Sequence, residues 1–376
     1  MRKYFLLVTL VILGISLSAQ TYDELKITTG VPFLTITPDA RGGGMGDIGA
    51  ATTADISSIF YNAAKYSFAE KKSGLQLSYS PWLHKIASDM SINYLSGYFK
   101  IDENQAFAAS LKYFAIGEIQ FTNELGENIT AFKPNEFALT TAYSMKLTET
   151  FSGAVALKFI YSNLTGGIST GGTTHPGIAV AGDLSFYLNQ PMTIKNNDAE
   201  FRWGINLSNL GTKISYGTYI RPFIPANFRT GVGLRYFIDE YNTLEFGVEI
   251  SKLMVPTPPT YNDAGDSILN GSDPDINTTE GIIRSFYDGQ NFEEELHEIM
   301  FGFGAEYTYN NTVFIRTGLF YESPYKGGRR YVTTGVGFEF NVFNIDFSYL
   351  IPIYSHSPLE ATLRFTLAFY FDRNLN

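Results

Sequence analysis

The feature that most constrains the fold is an alternation of apolar and polar residues with a period of two. It is clearest at the end of the chain, over residues 359–371. The odd-numbered residues are apolar throughout: Leu359, Ala361, Leu363, Phe365, Leu367, Phe369 and Phe371. The even-numbered residues are mostly polar and include Glu360, Thr362, Arg364 and Thr366. Because successive side chains of a strand point to opposite faces, the pattern predicts a strand with one apolar and one polar face.

The same alternation recurs in fourteen segments after residue 72, and the connections between them alternate in length. Most even-numbered connections have about three residues, except the sixth (190–198), whereas several odd-numbered ones are long. Outer-membrane barrels have an even number of antiparallel strands, short periplasmic turns and long external loops. The sequence therefore predicts an all-β fold, a 14-stranded antiparallel transmembrane β-barrel with both barrel ends in the periplasm. The predicted strands are 73–81, 88–100, 105–121, 135–148, 151–163, 177–189, 199–209, 227–238, 242–254, 298–309, 313–322, 330–341, 344–351 and 359–371.

The beginning of the chain indicates export. Residues 1–19 have the features of a signal peptide, with two basic residues, an apolar stretch and a small-residue cleavage region. The rest of the chain lacks an apolar run of the length that a membrane helix needs, although 15% of all residues are aromatic. Cysteine is absent, which excludes thiol catalysis and zinc–thiolate sites. The net charge of −10 argues against nucleic acid as a partner.

A glycine-rich stretch, RGGGMGDIGAA at residues 41–51, has the G-x-G-x-x-G spacing of a dinucleotide-binding loop. That spacing is meaningful only within a strand–helix–strand unit, and the sequence after it predicts no such unit. We therefore expect no cofactor. A barrel of fourteen strands is too wide to be filled by wall side chains alone, so residues 20–72 are expected to form a plug inside the barrel of residues 73–376. Within the plug, residues 53–66 are expected to form a short helix with Asp55 as its N-cap.

The predicted plug also resembles a known family. The string ADISSIFYNAAKYSF (54–68), which follows a glycine-rich stretch, is similar to the end of the plug of FadL-type outer-membrane transporters, with Ala63 in place of a proline. The longer string over residues 31–83 resembles the PorV (LptO) family of the type IX secretion system, a branch of the FadL-like barrels. The plug residues singled out are Asp39, Arg41, Gly44, Gly46, Asp47, Asp55, Tyr61 and Asn62.

The resemblance implies protein transport in the cell outer membrane, without catalysis. PorV-like proteins bind the C-terminal signal domains of secreted cargo and associate with a large translocon barrel. They deliver the cargo to a surface protease, which removes the signal and attaches the cargo to lipopolysaccharide. One alternative is a FadL-like channel for hydrophobic small molecules. Another is a lipopolysaccharide-modifying enzyme, but the sequence contains neither a G-x-S-x-G nor an H-E-x-x-H motif, and we expect no catalytic residues.

The long loop 255–297 is the candidate partner-binding site. Together with Glu298 it holds ten acidic residues and one base, Arg284. A short amphipathic helix over 279–289 would give this acidic loop an apolar stripe that suits a protein partner, and the alternative is a solvated lid over the barrel mouth. The stretch DPDIN resembles a calcium loop but lacks its glycine and its closing glutamate, so no metal site is expected. The candidate residues are Asp273, Asp275, Ile282, Ile283, Phe286 and Tyr287.

Two ion pairs inside the lumen are predicted from parity. Directly opposed residues of adjacent antiparallel strands lie on the same face. A three-residue turn at 239–241 places Arg235 opposite Glu245, and a three-residue turn at 310–312 places Glu306 opposite Arg316. Opposed Cβ atoms lie about 4.5–5.5 Å apart, which is close enough for a charge-assisted contact.

Overall fold

The computed structural model describes residues 26–122, 128–164, 166, 174–217, 221–262, 266–354 and 357–371. The predicted signal peptide lies outside the described residues. The strands are β1 Ser73–Pro81, β2 Ser91–Lys100, β3 Gln105–Ala115, β4 Ile119–Thr122, β5 Asn128–Phe132, β6 Asn135–Lys146, β7 Phe151–Asn163, β8 Gly177–Ile194, β9 Asn197–Gly211, β10 Asn227–Phe237, β11 Asn242–Leu253, β12 Thr260–Tyr261, β13 Ile268–Asn270, β14 Ile299–Tyr309, β15 Val313–Tyr321, β16 Arg330–Phe340, β17 Phe343–Pro352 and β18 Leu363–Phe371.

Fourteen of these strands form a closed antiparallel barrel, as predicted. Each barrel strand pairs with its neighbours in sequence, and β1 closes the barrel against β18, from Ser73 opposite Phe371 to Tyr79 opposite Phe365. The two remaining strand pairs, β4–β5 and β12–β13, are small hairpins within the long loops. The long loops lie together at one end of the barrel and the short turns at the other.

Three details of the strand prediction are wrong. The strand predicted over 105–121 ends at Ala115, and Gly117 then adopts a φ of +90°, so that Ile119 begins a separate hairpin. The predicted long connection 190–198 is a two-residue turn, because β8 extends to Ile194 and β9 begins at Asn197. The turn residues Lys195 and Asn196 have φ values of 49° and 72°, which suit a tight hairpin. Leu359, expected on the outer face, precedes β18 and is buried.

The barrel wall has an apolar outer face and an inner face of small and polar residues. In β1, for example, Leu75, Leu77 and Tyr79 are exposed on the outside, whereas Gln76 and Ser78 are buried inside. This alternation places apolar side chains where a bilayer would contact the wall. Within the described ranges, no helix combines the length and the apolar character needed to cross a membrane.

The N-terminal segment, defined here as residues 26–72, passes through the barrel from one end to the other. Its first part packs at the long-loop end, where the Gly30 amide donates a hydrogen bond to the Phe223 carbonyl at 2.8 Å. Its last part lies at the short-turn end, where the Lys72 carbonyl accepts a hydrogen bond from the Lys100 amide. The helices of the segment are the 3₁₀ helix Pro32–Thr35, α1 Ala40–Gly44, α2 Ser58–Tyr61 and the 3₁₀ helix Ala63–Phe68.

The helix predicted over 53–66 is therefore shorter than expected. α2 has only four residues, and its N-cap position is Ser57 rather than Asp55. Asn62 adopts an extended conformation that ends α2, and its side chain caps the following 3₁₀ helix by accepting a hydrogen bond from the Ala64 amide. The long loop contributes two further helices, α3 Thr278–Arg284 and α4 Phe292–His297.

Candidate functional site

Glycine residues allow the N-terminal segment to lie directly on the wall. Gly46 has a φ of +70°, and a Cβ atom at this position would lie 2.5 Å from the Phe303 carbonyl oxygen and 2.7 Å from that of Leu319. On the wall, a Cβ atom at Gly318 would lie 2.0 Å from the Gly46 nitrogen. The further wall glycines on which a Cβ would crowd the segment are Gly74, Gly204, Gly233, Gly247, Gly302, Gly304 and Gly335. The spacing that suggested a nucleotide loop thus serves close backbone packing.

Arg41 is the centre of a charge network that joins the segment to the wall. Its guanidinium lies 2.9 Å from Asp55 of the same segment, and 3.1 Å from Glu306 and 3.6 Å from Glu245 on the wall. Arg316 extends the network, because it contacts Glu306 at 2.6 Å and Asp346 at 2.5 Å. All these wall residues are buried, so the carboxylates and guanidiniums compensate one another out of bulk water.

Wall carboxylates also bind backbone amides of the segment. Glu249 accepts hydrogen bonds from the amides of Gly49 (2.9 Å) and Ala50 (2.7 Å), and Glu245 accepts one from Thr53 at 2.9 Å. These amides have no helix or sheet partner, so the carboxylates satisfy donors that would otherwise be buried without acceptors. The segment is thereby fixed in register against β11.

The other predicted plug residues make hydrogen bonds both within the segment and to the wall. Asp39 caps α1 by accepting a hydrogen bond from the Gly42 amide at 2.9 Å, and the Tyr61 hydroxyl donates to the same carboxylate at 2.8 Å. The Asn62 side chain donates to the carbonyls of Ala50 and Phe186, both at 2.9 Å. Asp47 accepts a hydrogen bond from the Tyr331 hydroxyl on the wall at 2.5 Å.

The two predicted lumen pairs differ in outcome. Both registers are as expected, with Arg235 opposite Glu245 and Glu306 opposite Arg316. The second pair makes the ion pair already described, but the first does not. Arg235 lies 3.3 Å from Glu70, and the nearest cation to Glu245 is Arg202 at 3.0 Å. Parity fixes the face of a residue, whereas the competing partners on a wide inner wall decide which contact forms.

Two buried lysines that the sequence reasoning missed also bind the segment. Lys112 of β3 donates to the Ile36 carbonyl, and its ammonium lies 4.5 Å from the centre of the Phe60 ring. Lys65 of the segment donates to the Thr52 hydroxyl at 3.0 Å. The alternation in β3 places Lys112 on the inner face, so its burial could have been predicted. Lys65 lies outside any strand, and no pattern in the sequence predicts its burial.

The candidate partner-binding loop carries an exposed apolar surface. Ile283, Phe286 and Tyr287 are exposed, as is Phe292, which is 77% accessible and was not predicted; Ile282 is half-buried. The short α3 takes its N-cap from Asn277, whose side chain accepts a hydrogen bond from the Glu280 amide. Asp273 and Asp275 lie beside each other in a turn, and the Asp273 carboxylate accepts a hydrogen bond from the Asp275 amide. No group of three potential metal ligands occurs among the residues that the structure describes.

The base of this loop is held by lysines from its surroundings. Lys252 contacts Glu295 at 3.1 Å and also Glu298, and Lys326 contacts Glu294 at 2.6 Å and Glu298 at 3.0 Å. Burial by itself lowers the pKa of Lys326, but its hydrogen bonds to Glu294 and Glu298 outweigh burial and raise the pKa above its ordinary value. These lysines thus neutralise the carboxylates of Glu294, Glu295 and Glu298, and they form no ion pair with the other acids in the part of the loop that the structure describes.

These features define a class of protein: a β-barrel of the membrane type whose lumen is occupied by its own N-terminal segment. The family model for the type IX secretion system protein PorV matches residues 19–260, and the chain belongs to this family. No curated protein matches the sequence.

Solved structures with a similar fold include toluene transporters. The transporter TbuX of Ralstonia pickettii is 12% identical with a TM-score of 0.50, and the alignment covers 91% of this chain and 100% of that chain. The transporter TodX of Pseudomonas putida is 12% identical with a TM-score of 0.49, with 92% and 98% covered. The likeness to TbuX shows the FadL-like fold and nothing about ligands.

Proposed function

We propose that this protein, as an outer-membrane component of the type IX secretion system, binds the C-terminal signal domain of secreted cargo and carries it from the translocon to the surface attachment complex. The observation that carries the proposal is the match of the PorV family model to most of the chain. The described barrel supports a binding role, because its inner wall packs against the N-terminal segment through both apolar and charged contacts.

Its orientation in the membrane follows from the loops. Barrels of the outer membrane place short turns in the periplasm and long loops outside. The loop between β11 and β14 is the longest connection, and it therefore faces the cell surface, where cargo is delivered. Its exposed apolar side chains, set among acidic residues, form the proposed cargo contact.

The alternative of a channel for hydrophobic small molecules fits the short-turn end of the lumen poorly. The cavity at the short-turn end, about 190 Å³ in volume, is lined largely by charged and polar side chains, among them Arg41, Glu70 and Asp346. Desolvating charged groups to admit an apolar ligand is costly. We therefore assign the lumen a structural role and the external loops the binding role.

The proposal is tested by purifying the tagged protein from its own cells in mild detergent and identifying the co-purified proteins by mass spectrometry. We expect the large translocon barrel, subunits of the attachment complex and secreted proteins that share a C-terminal domain. Replacing both Phe286 and Tyr287 by serine should reduce the recovered cargo. The control is Ile86→Ser, which removes an exposed apolar side chain from a different long loop. Recovery of none of these proteins by the wild type would refute the proposed function.

A further inference from the structure

The long-loop end of the barrel contains a cavity of about 280 Å³ between the outer end of the N-terminal segment and the wall. Its apolar surface comes from Ile27 and Pro32 of the segment, Pro225 of a neighbouring loop, and Leu253 and Met300 of the wall. Thr29 also lines it, whereas the intervening residue Thr28 is exposed. The segment therefore presents alternate side chains to the cavity.

Charged groups also line the cavity, and each has a partner. Arg329 contacts Glu322 at 2.8 Å, and Lys326 contacts Glu298 at 3.0 Å. All four residues line the cavity. Apolar side chains together with satisfied polar groups are found where protein interfaces bind an anchoring side chain.

The surroundings determine which partner fits. The loop that borders the cavity contains ten acidic residues from 255 to 298 and one base, Arg284. Lys252 and Lys326 pair with acids at the end of the loop nearest the barrel, and Lys213 donates a hydrogen bond to the Pro274 carbonyl, between Asp273 and Asp275. The ten acids still outnumber these three lysines and Arg284. A partner that is apolar at its centre and basic around it would match the cavity and the acidic surface beside it.

We propose that this cavity receives an apolar side chain, flanked by lysine or arginine residues, from the cargo domain. The inference rests on the proposed function, because it identifies the anchor point of that same partner. The contact directly involves Ile27 and Thr29, so cargo binds to the outer end of the segment as well as to the external loops.

The test uses the full-length protein in detergent and the purified C-terminal domain of a type IX cargo protein as the probe. Two variants fill the cavity from the segment, Ile27→Trp and Thr29→Trp. Thr28→Trp is the matched control, because it places the same indole on the adjacent, exposed position. Thermal unfolding of each variant shows whether the barrel is intact.

We expect Ile27→Trp and Thr29→Trp to weaken cargo binding at least tenfold, while Thr28→Trp binds as the wild type does. Binding of the wild type should also weaken as salt is raised, since basic flanks meet acidic loops. Equal binding by the wild type and all three variants would overturn the cavity as the anchor point while leaving the proposed function intact. Absence of binding by the wild type would overturn the proposed function itself.

Discussion

Replacement of Gly46 by alanine tests whether the N-terminal segment depends on close backbone contact with the wall. An L-residue in the left-handed region costs roughly 1–2 kcal/mol. The added Cβ would also lie within 3.0 Å of three wall backbone atoms, the carbonyl oxygens of Phe303 and Leu319 and the Leu319 nitrogen. Backbone of a closed barrel cannot rotate away, so overpacking adds about 1–3 kcal/mol. The expected total is therefore about 2–5 kcal/mol.

Gly328 provides the matched control. Its φ of +73° is nearly the same as that of Gly46, but its nearest neighbour would lie 3.6 Å from the new Cβ, which is an ordinary contact. Gly328→Ala should therefore cost only the conformational part, roughly 1–2 kcal/mol. The assay is denaturant unfolding in detergent, followed by tryptophan fluorescence. Equal losses of stability for the two variants would refute the argument that the segment lies against the wall at Gly46.

Three further outcomes are expected. Arg41→Met should destabilise the protein by about 1–3 kcal/mol, because Glu245 and Glu306 lose one cation but keep Arg202 and Arg316. Arg41→Lys should be milder. Protease resistance of the segment is the measurement, and unchanged resistance in Arg41→Met would contradict the network. Gly44→Ala should cost less than Gly46→Ala, since its Cβ would approach no atom closer than 3.2 Å. Deletion of residues 258–292 should leave a folded barrel, because external loops tolerate changes in length, while secretion of cargo should fall; normal secretion would limit the loop to a lid.

Much of the barrel could be predicted from the sequence because lipid-facing and lumen-facing side chains alternate along every strand of its wall. A residue such as Phe365 must face lipid if its neighbours Arg364 and Thr366 face the lumen, and the turns then fix the register. The errors lie where periodicity stops being informative. The alternation continues past Ala115 although Gly117 turns the chain out of the sheet. Pro191 lies within the end of β8, and because proline is unusual inside a strand, residues 190–194 do not read as one.

The interior was less predictable for a different reason. Parity identified Glu245 and Arg235 as inward-facing, but the contact that forms depends on side chains from outside the hairpin, here Arg202, Arg41 and Glu70. The direction in which the N-terminal segment runs through the lumen likewise has no local signal. It follows from tertiary contacts, such as that between Gly30 and Phe223, which join residues far apart in the sequence.

We propose that the N-terminal segment enters the barrel at the external mouth and leaves it at the periplasmic end. Because the chain has no cysteine, single cysteines at Thr28 and at Glu240 of the short turn after β10 can be labelled on intact cells with a membrane-impermeant maleimide. Both positions are exposed. The structure predicts that Thr28→Cys is labelled on intact cells and that Glu240→Cys is labelled only after the outer membrane is permeabilised. Labelling of Glu240→Cys but not Thr28→Cys on intact cells would contradict the account.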